Sequence, residues 1–273
     1  MNSPTRHPPT GSDFTIPNIL QATFYLFKRN WLHYMVVAVI VILIFSLTTS
    51  VLFPNFEKLA FSLQEDLSPI QAQEAASVFM QQFLLIWAFR SIIFFLGAAV
   101  MAFGVMQGFR NQRLSVLKSI SFTLPQAPFL IILAVLISTL FVLGILFFIF
   151  PGIIVMLIFT PIVPVCLLER SGVLASLSRS KQLMSNVSIC LQTLAVTMII
   201  GLPILLLPYI MYDLFSGVVF LFYISNILAQ ALCIALLNIA GTVIYFFLVY
   251  QRDEKNADDI AQSLGWDNTL PQE

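Results

Sequence analysis

No Asp, Glu, Lys or Arg side chain interrupts the chain between Trp31 and Phe53, and five more long apolar runs follow, separated by short polar segments. A helix crosses about 30 Å of hydrocarbon with about 20 mostly apolar residues, at about 1.5 Å each. The runs therefore read as transmembrane helices over 31–53, 82–105, 128–150, 153–168, 187–212 and 217–250. The fourth is short for a crossing and borrows flanking residues. Pro151 and Gly152 separate it from the third by a tight hairpin turn.

Composition excludes the soluble alternative. With 59% hydrophobic and 10% charged residues and a mean hydropathy of +0.94, too few polar side chains remain to clothe a globule in water. The first residues are polar and proline-containing, and the first apolar run ends without a small-residue cleavage site, so that run reads as a retained anchor and not as a secretory signal. Cys166, Cys190 and Cys233 all lie in apolar runs and read as small buried hydrophobes.

Charge sets the orientation. Arg6, Lys28, Arg29, Arg110, Arg113, Lys118, Arg170, Arg179, Lys181, Arg252 and Lys255 fall on one side of this scheme, and Lys58 alone on the other. Both termini are accordingly expected in the cytoplasm. A polar loop follows the first span on the outer side. The segment after Arg252 shows no evident apolar period and reads as a solvated tail.

A short pattern precedes the first, third and fifth spans: Ile19-Leu20-Gln21-Ala22, Val116-Leu117-Lys118-Ser119 and Val173-Leu174-Ala175-Ser176. Each opens or lies in an amphipathic stretch. In the first copy Ile16, Leu20, Phe24 and Phe27 recur at helical spacing, with Lys28 and Arg29 beyond them. Such a helix lies in the membrane interface with its cations toward anionic head groups. The expected fold class is thus all-α: a polytopic membrane protein with six transmembrane helices as three hairpins, each preceded by an amphipathic interfacial helix. The expected divisions are a polar N-terminal tail over 1–14, a transmembrane domain over 15–250 and a polar cytoplasmic tail over 251–273. The three units share one orientation, which implies an axis along the membrane normal.

The run Pro151-Gly152-Ile153-Ile154, the later Glu169 and Gly172, and Ser180, Leu183 and Asn186 at three-residue spacing resemble the YciC-like family of bacterial inner-membrane proteins. That family is similar to the membrane domain attached to some glycerophosphodiester phosphodiesterases. The resemblance implies a multi-pass protein of the bacterial inner membrane with no established reaction and no catalytic residues to carry over.

Arg90 is the one charge deep inside a run, about 8 residues and so about 12 Å from the outer edge if its helix enters near Gln82. An unpaired Arg at mid-bilayer costs about 2.5 to 3.5 kcal/mol on insertion scales, so it is expected to face protein. Asn226 and Gln230 in the sixth run lie at similar depth, as does the carbonyl freed by Pro208 in the fifth. This possible buried polar site is either an interhelical clamp or a contact for an anion or lipid phosphate. Asn238 and Thr242 continue a polar stripe that more often glues helices than lines a path. Pro161, Pro164, Gly201, Pro203 and Pro208 are expected to kink their helices.

The possible lipid head-group contacts are Lys28, Arg29, Lys118, Arg179 and Lys181. No catalytic, cofactor-binding or metal residues are expected: His7 and His33 have no ligand-spaced companions, no serine has a partnered base, and no phosphate-cradling glycine loop is present. The expected partners are membrane lipids, anionic ones included, and not nucleic acid. The functional expectation is a non-enzymatic inner-membrane protein for envelope maintenance or lipid handling. The alternative is a permease or scramblase-like transporter moving a small anion or lipid head group past Arg90.

Overall fold

The structure, a computed structural model, describes residues 14–56, 69–112, 114–215 and 219–264, and these form helices and short turns with no strand. In chain order they are α1 (Ile16–Arg29), α2 (Trp31–Leu52), α3 (Pro69–Phe109), α4 (Val116–Thr123), a 3-10 turn (Leu124–Gln126), α5 (Ala127–Phe147), α6 (Ile149–Ile158), α7 (Ile162–Leu168), α8 (Val173–Leu183), α9 (Val187–Phe215), α10 (Val219–Asp253) and α11 (Ala257–Ser263). Five stretches are long and apolar enough to cross a membrane, or six if α8 and the start of α9, which meet at 97°, count as one bent segment.

Most expected boundaries fall within a few residues of these. The hairpin turn does not: it lies at Phe148, not at Pro151-Gly152. Phe148 is extended (φ −160°, ψ 141°) and its N–H returns to the Gly144 carbonyl at 3.0 Å. Pro151 instead sits in the first turn of α6, where a missing N–H leaves no helical bond unmade. Gly144 and Gly152 make the turn tight, since a Cβ on Gly144 would stand 2.7 Å from the Gly152 backbone nitrogen. The middle surface helix, α4, ends at Thr123 just before Pro125, and the 3-10 turn that follows joins it to α5 in one apolar stretch, Val116–Phe147.

The kinks expected from Pro161 and Pro164 amount to a break. α6 ends at Ile158 with Phe159 as its C-cap, and Ile162 reopens the helix as α7 with its N–H on the Phe159 carbonyl at 3.1 Å. In α9, by contrast, the helix runs through Gly201 and Pro203 without interruption.

The segment after Arg252 is a further correction as far as Leu264, the rest of the expected tail lying outside the described residues. α10 continues to Asp253, Glu254 turns through a left-handed φ of 57°, and Asn256 starts α11 with a capping box completed by Asp259. Ala257, Ile260, Ala261 and Leu264 are buried at helical spacing, and α11 packs on α3. The stripe escapes a hydropathy reading because two of its members are alanines.

Burial is concentrated at one end of the bundle. All seven residues of α7 are buried, as are Ala98–Ala102 and Phe103 in α3 and Val243–Val249 in α10. α10 is the central helix: 72% of its most apolar window is inside the protein, against 17% for α2. Glycines on α3 bring α2 close. A Cβ on Gly97 would lie 2.4 Å from Val41 Cγ2, and Gly104 faces His33 and Tyr34, so small residues set the helix separation as in packed membrane helices. α1 is docked, not free: Ile19, Ala22, Thr23 and Leu26 are buried against the bundle, while Phe24 remains exposed.

Candidate functional site

Contacts among the basic residues bring them to the tightly packed end of the bundle and divide them by side-chain type. The arginines are engaged. Arg29 Nη1 donates to Asn111 Oδ1, Arg110 pairs with Asp258 at 2.9 Å, Arg170 lies 5.5 Å from the Phe122 ring, and Arg252 donates to the Gln182 carbonyl at 2.6 Å. Arg179 holds two carboxylates, Glu169 at 3.2 Å and Asp253, and Tyr245 donates to the same Glu169 oxygen from inside α10 at 3.2 Å. Burial draws the Arg179 guanidinium down, but Asp253 and Glu169 outweigh it and its pKa stands above the ordinary arginine value.

Lys28, Lys118 and Lys181 are exposed, and their ammonium groups meet no partner among the described residues. The five expected head-group contacts therefore separate: three lysines face outward, whereas Arg179 joins α7, α8 and α10 and Arg29 joins α1 to the end of α3. A flexible point charge suits the first task and a planar fork the second.

The pattern shared by α1, α4 and α8 has a common structural use. Its small fourth residue, Ala22, Ser119 or Ser176, is fully or almost fully buried. Ser119 and Ser176 each donate to the carbonyl of the helix N-cap residue, Ser115 at 3.0 Å and Gly172 at 2.9 Å. Its second residue points away in two copies: Leu117 is 79% and Leu174 81% exposed. α8 also reaches the broken segment, where Ser180 Oγ donates to the Ile158 carbonyl at 2.8 Å, one of the acceptors a helix end leaves without an intrahelical partner.

The candidates inside the apolar runs are placed differently, and they do not form a buried site: Arg90 is exposed and Asn226 and Gln230 are half-buried. Asn226 and Gln230 bond each other along α10, Gln230 Nε2 to Asn226 Oδ1 at 3.1 Å, and Arg90 does not meet them. Arg90 instead lies over the Phe45 ring of α2 at 4.9 Å and lines a cavity of about 460 Å³ bounded by α3, α5, the α6–α7 break, α9 and α10. The polar wall contributed by α10 is Asn238 and Thr242, three to four turns beyond Asn226.

Most polar groups around this cavity are already satisfied. Ser91, Ser138, Thr160, Thr197 and Thr242 donate to carbonyls of their own helices, and Asn238 does the same to Ile234 at 2.7 Å. Two side chains have no acceptor among the described residues, Arg90 and Trp87, whose buried indole Nε1 is unpartnered. The Trp87 ring is fixed by stacking on Phe141, 5.8 Å away and 8° from parallel. The cavity was not legible in the sequence, although the Pro161 and Pro164 signals mark its floor.

Chemically, the site offers a cation and an N–H donor beside hydroxyls and an amide already bonded to their own helices, with no pair of carboxylates in its lining; among the described residues no three His, Cys, Asp or Glu side chains converge as metal ligands would. No family model, curated protein or solved structure matches the chain.

Proposed function

We propose that this chain is a non-enzymatic, multi-pass protein of the bacterial inner membrane that holds anionic lipid at its cytoplasmic face and serves envelope maintenance or lipid handling. In this reading it crosses six times as three hairpins, each preceded by an amphipathic helix, with both ends in the cytoplasm. The resemblance to the YciC-like family and the excess of basic residues on one side support that placement.

The observation that carries the reading is the shared geometry of α4 and α8. Each turns a small residue inward and a leucine outward and carries a lysine whose ammonium is unpartnered among the described residues, Lys118 next to Leu117 in α4 and Lys181 two turns beyond Leu174 in α8. An exposed leucine enters the acyl boundary and the lysine meets phosphate, each basic residue near an anionic surface contributing about 1 kcal/mol. Replacing Lys28, Lys118 and Lys181 together by Glu should strip co-purified acidic phospholipid, read by native mass spectrometry, with little change in thermal stability. An unchanged ratio of acidic to zwitterionic lipid would refute it.

The cavity at Arg90 favours a second reading, passage of a small anion or lipid head group. Vesicles reconstituted with Arg90→Ala should then lose transport while the protein stays folded.

A further inference from the structure

The two unpartnered donors at the Arg90 cavity say what the site lacks. Its hydroxyls and the Asn238 amide already donate to backbone carbonyls of their own helices. What remains is one guanidinium and one indole N–H, three residues apart on α3 and so on neighbouring faces of one turn. Groups of this kind are completed by an acceptor carrying negative charge, and a phosphate oxygen pair matches the arginine fork.

Below these donors the wall is apolar, formed by Phe94, Phe95, Ile137, Phe159 and Leu237, and the volume of about 460 Å³ lies in the range of small-molecule sites, about 300 to 1,000 Å³. The flank beside Arg90 carries exposed apolar side chains: Ile44 next to Phe45 on α2, and Leu85 and Phe89 on α3. In a membrane that flank meets lipid and not water. A ligand entering there brings a chain for the cavity as well as an acceptor for its donors.

We propose that the cavity binds one phosphate-bearing anionic lipid, its phosphate on Arg90 and Trp87 Nε1 and an acyl chain in the space between α3, α5, α6 and α10. This rests on the membrane placement proposed above and goes beyond it, since the lysines act at the opposite, basic end of the bundle.

Trp87 supplies its own readout. The chain has three tryptophans, and Trp31→Phe with Trp266→Phe leaves Trp87 as the sole emitter in the full-length protein. This variant is reconstituted into phosphatidylcholine vesicles containing brominated-chain phosphatidic acid or, in parallel, brominated-chain diacylglycerol, which lacks the phosphate. Half-maximal quenching is expected at a mole fraction of phosphatidic acid about tenfold below that of diacylglycerol, the effect of a charged hydrogen-bonded contact. Adding Arg90→Gln should bring the two curves together, and Arg90→Lys should restore part of the gap. Equal quenching by the two lipids in the Arg90 protein overturns the proposal, and this arm stands even if Arg90→Gln fails to fold. Loss of the preference on adding millimolar inorganic phosphate assigns the site to a free anion and overturns the lipid. Failure to co-float with vesicles would instead overturn the membrane placement itself.

Discussion

Replacing Arg179 tests whether it is a lipid contact, as its place on an amphipathic stretch suggests, or the joint that the structure makes of it. Arg179→Met keeps the aliphatic stem and removes the charge. It leaves Glu169 and Asp253 facing each other, with only Tyr245 donating to the former. The three side chains are 21%, 27% and 24% accessible, between a surface pair and a buried one. Surface pairs are worth about 0 to 1 kcal/mol, and breaking a buried one costs about 3 to 5 kcal/mol. An intermediate loss of about 2 kcal/mol follows. Unfolding by sodium dodecyl sulfate in mixed micelles, followed by circular dichroism, measures it. Adding Asp253→Asn and Glu169→Gln should recover part of the loss, because no carboxylates are then left to repel. Stability within about 0.5 kcal/mol of the parent, accompanied by loss of bound acidic lipid, would refute the joint and restore the lipid contact.

Substitutions at Gly144 and Ser180, each with a control, test the hairpin and the broken segment. Gly144→Val would drive a side chain against the Gly152 backbone 2.7 Å away, which cannot rotate aside, and should destabilise by about 3 kcal/mol in the same unfolding assay. Gly201→Ala, in the middle of α9 where an added Cβ meets nothing within 4 Å, is the control and should not destabilise. Ser180→Ala leaves the Ile158 carbonyl without its donor at a fully buried position and should cost about 1 to 3 kcal/mol, whereas Ser180→Thr, which keeps the hydroxyl, should recover some of that loss.

The helices were legible because each long apolar run survives in sequence: the run from Trp31 is α2 almost to the residue, and the break between α1 and α2 falls at Asn30, next to the basic pair that marks it. What was not legible depends on distance along the chain. Arg179 looks free beside Lys181, but its second carboxylate is 74 positions away, on a helix end that sequence periodicity does not relate to α8. Arg90 stands out in the sequence by its isolation in an apolar run, and depth matching pointed it to Asn226 and Gln230, which it does not meet. That argument sought oxygen acceptors and passed over Phe45, whose ring face also receives a cation. α11 was hidden by composition, since alanines at 257 and 261 bury as well as leucines against a close neighbour but barely raise hydropathy.

The uneven packing of the bundle gives these placements one physical cause. At the basic end, α7 and the ends of α3 and α10 are surrounded by α1, α8 and α11, so polar atoms there can be bonded and buried, and the arginines become joints. Toward the other end no such collar of short helices exists among the described residues, and the helices present exposed apolar side chains: Leu146, Phe147, Phe148, Ile149 and Phe150 at the α5–α6 turn are all exposed. A side chain that must stay polar in that region has few neighbours to bond, which is the position of Arg90. The α6–α7 break lies where the two regimes meet, with Thr160 on the cavity and the Ile158 carbonyl held by Ser180 of α8. Through that one hydrogen bond α8 is tied to Ile158, the neighbour of the cavity-lining Phe159, so the collar at the basic end reaches the edge of the cavity.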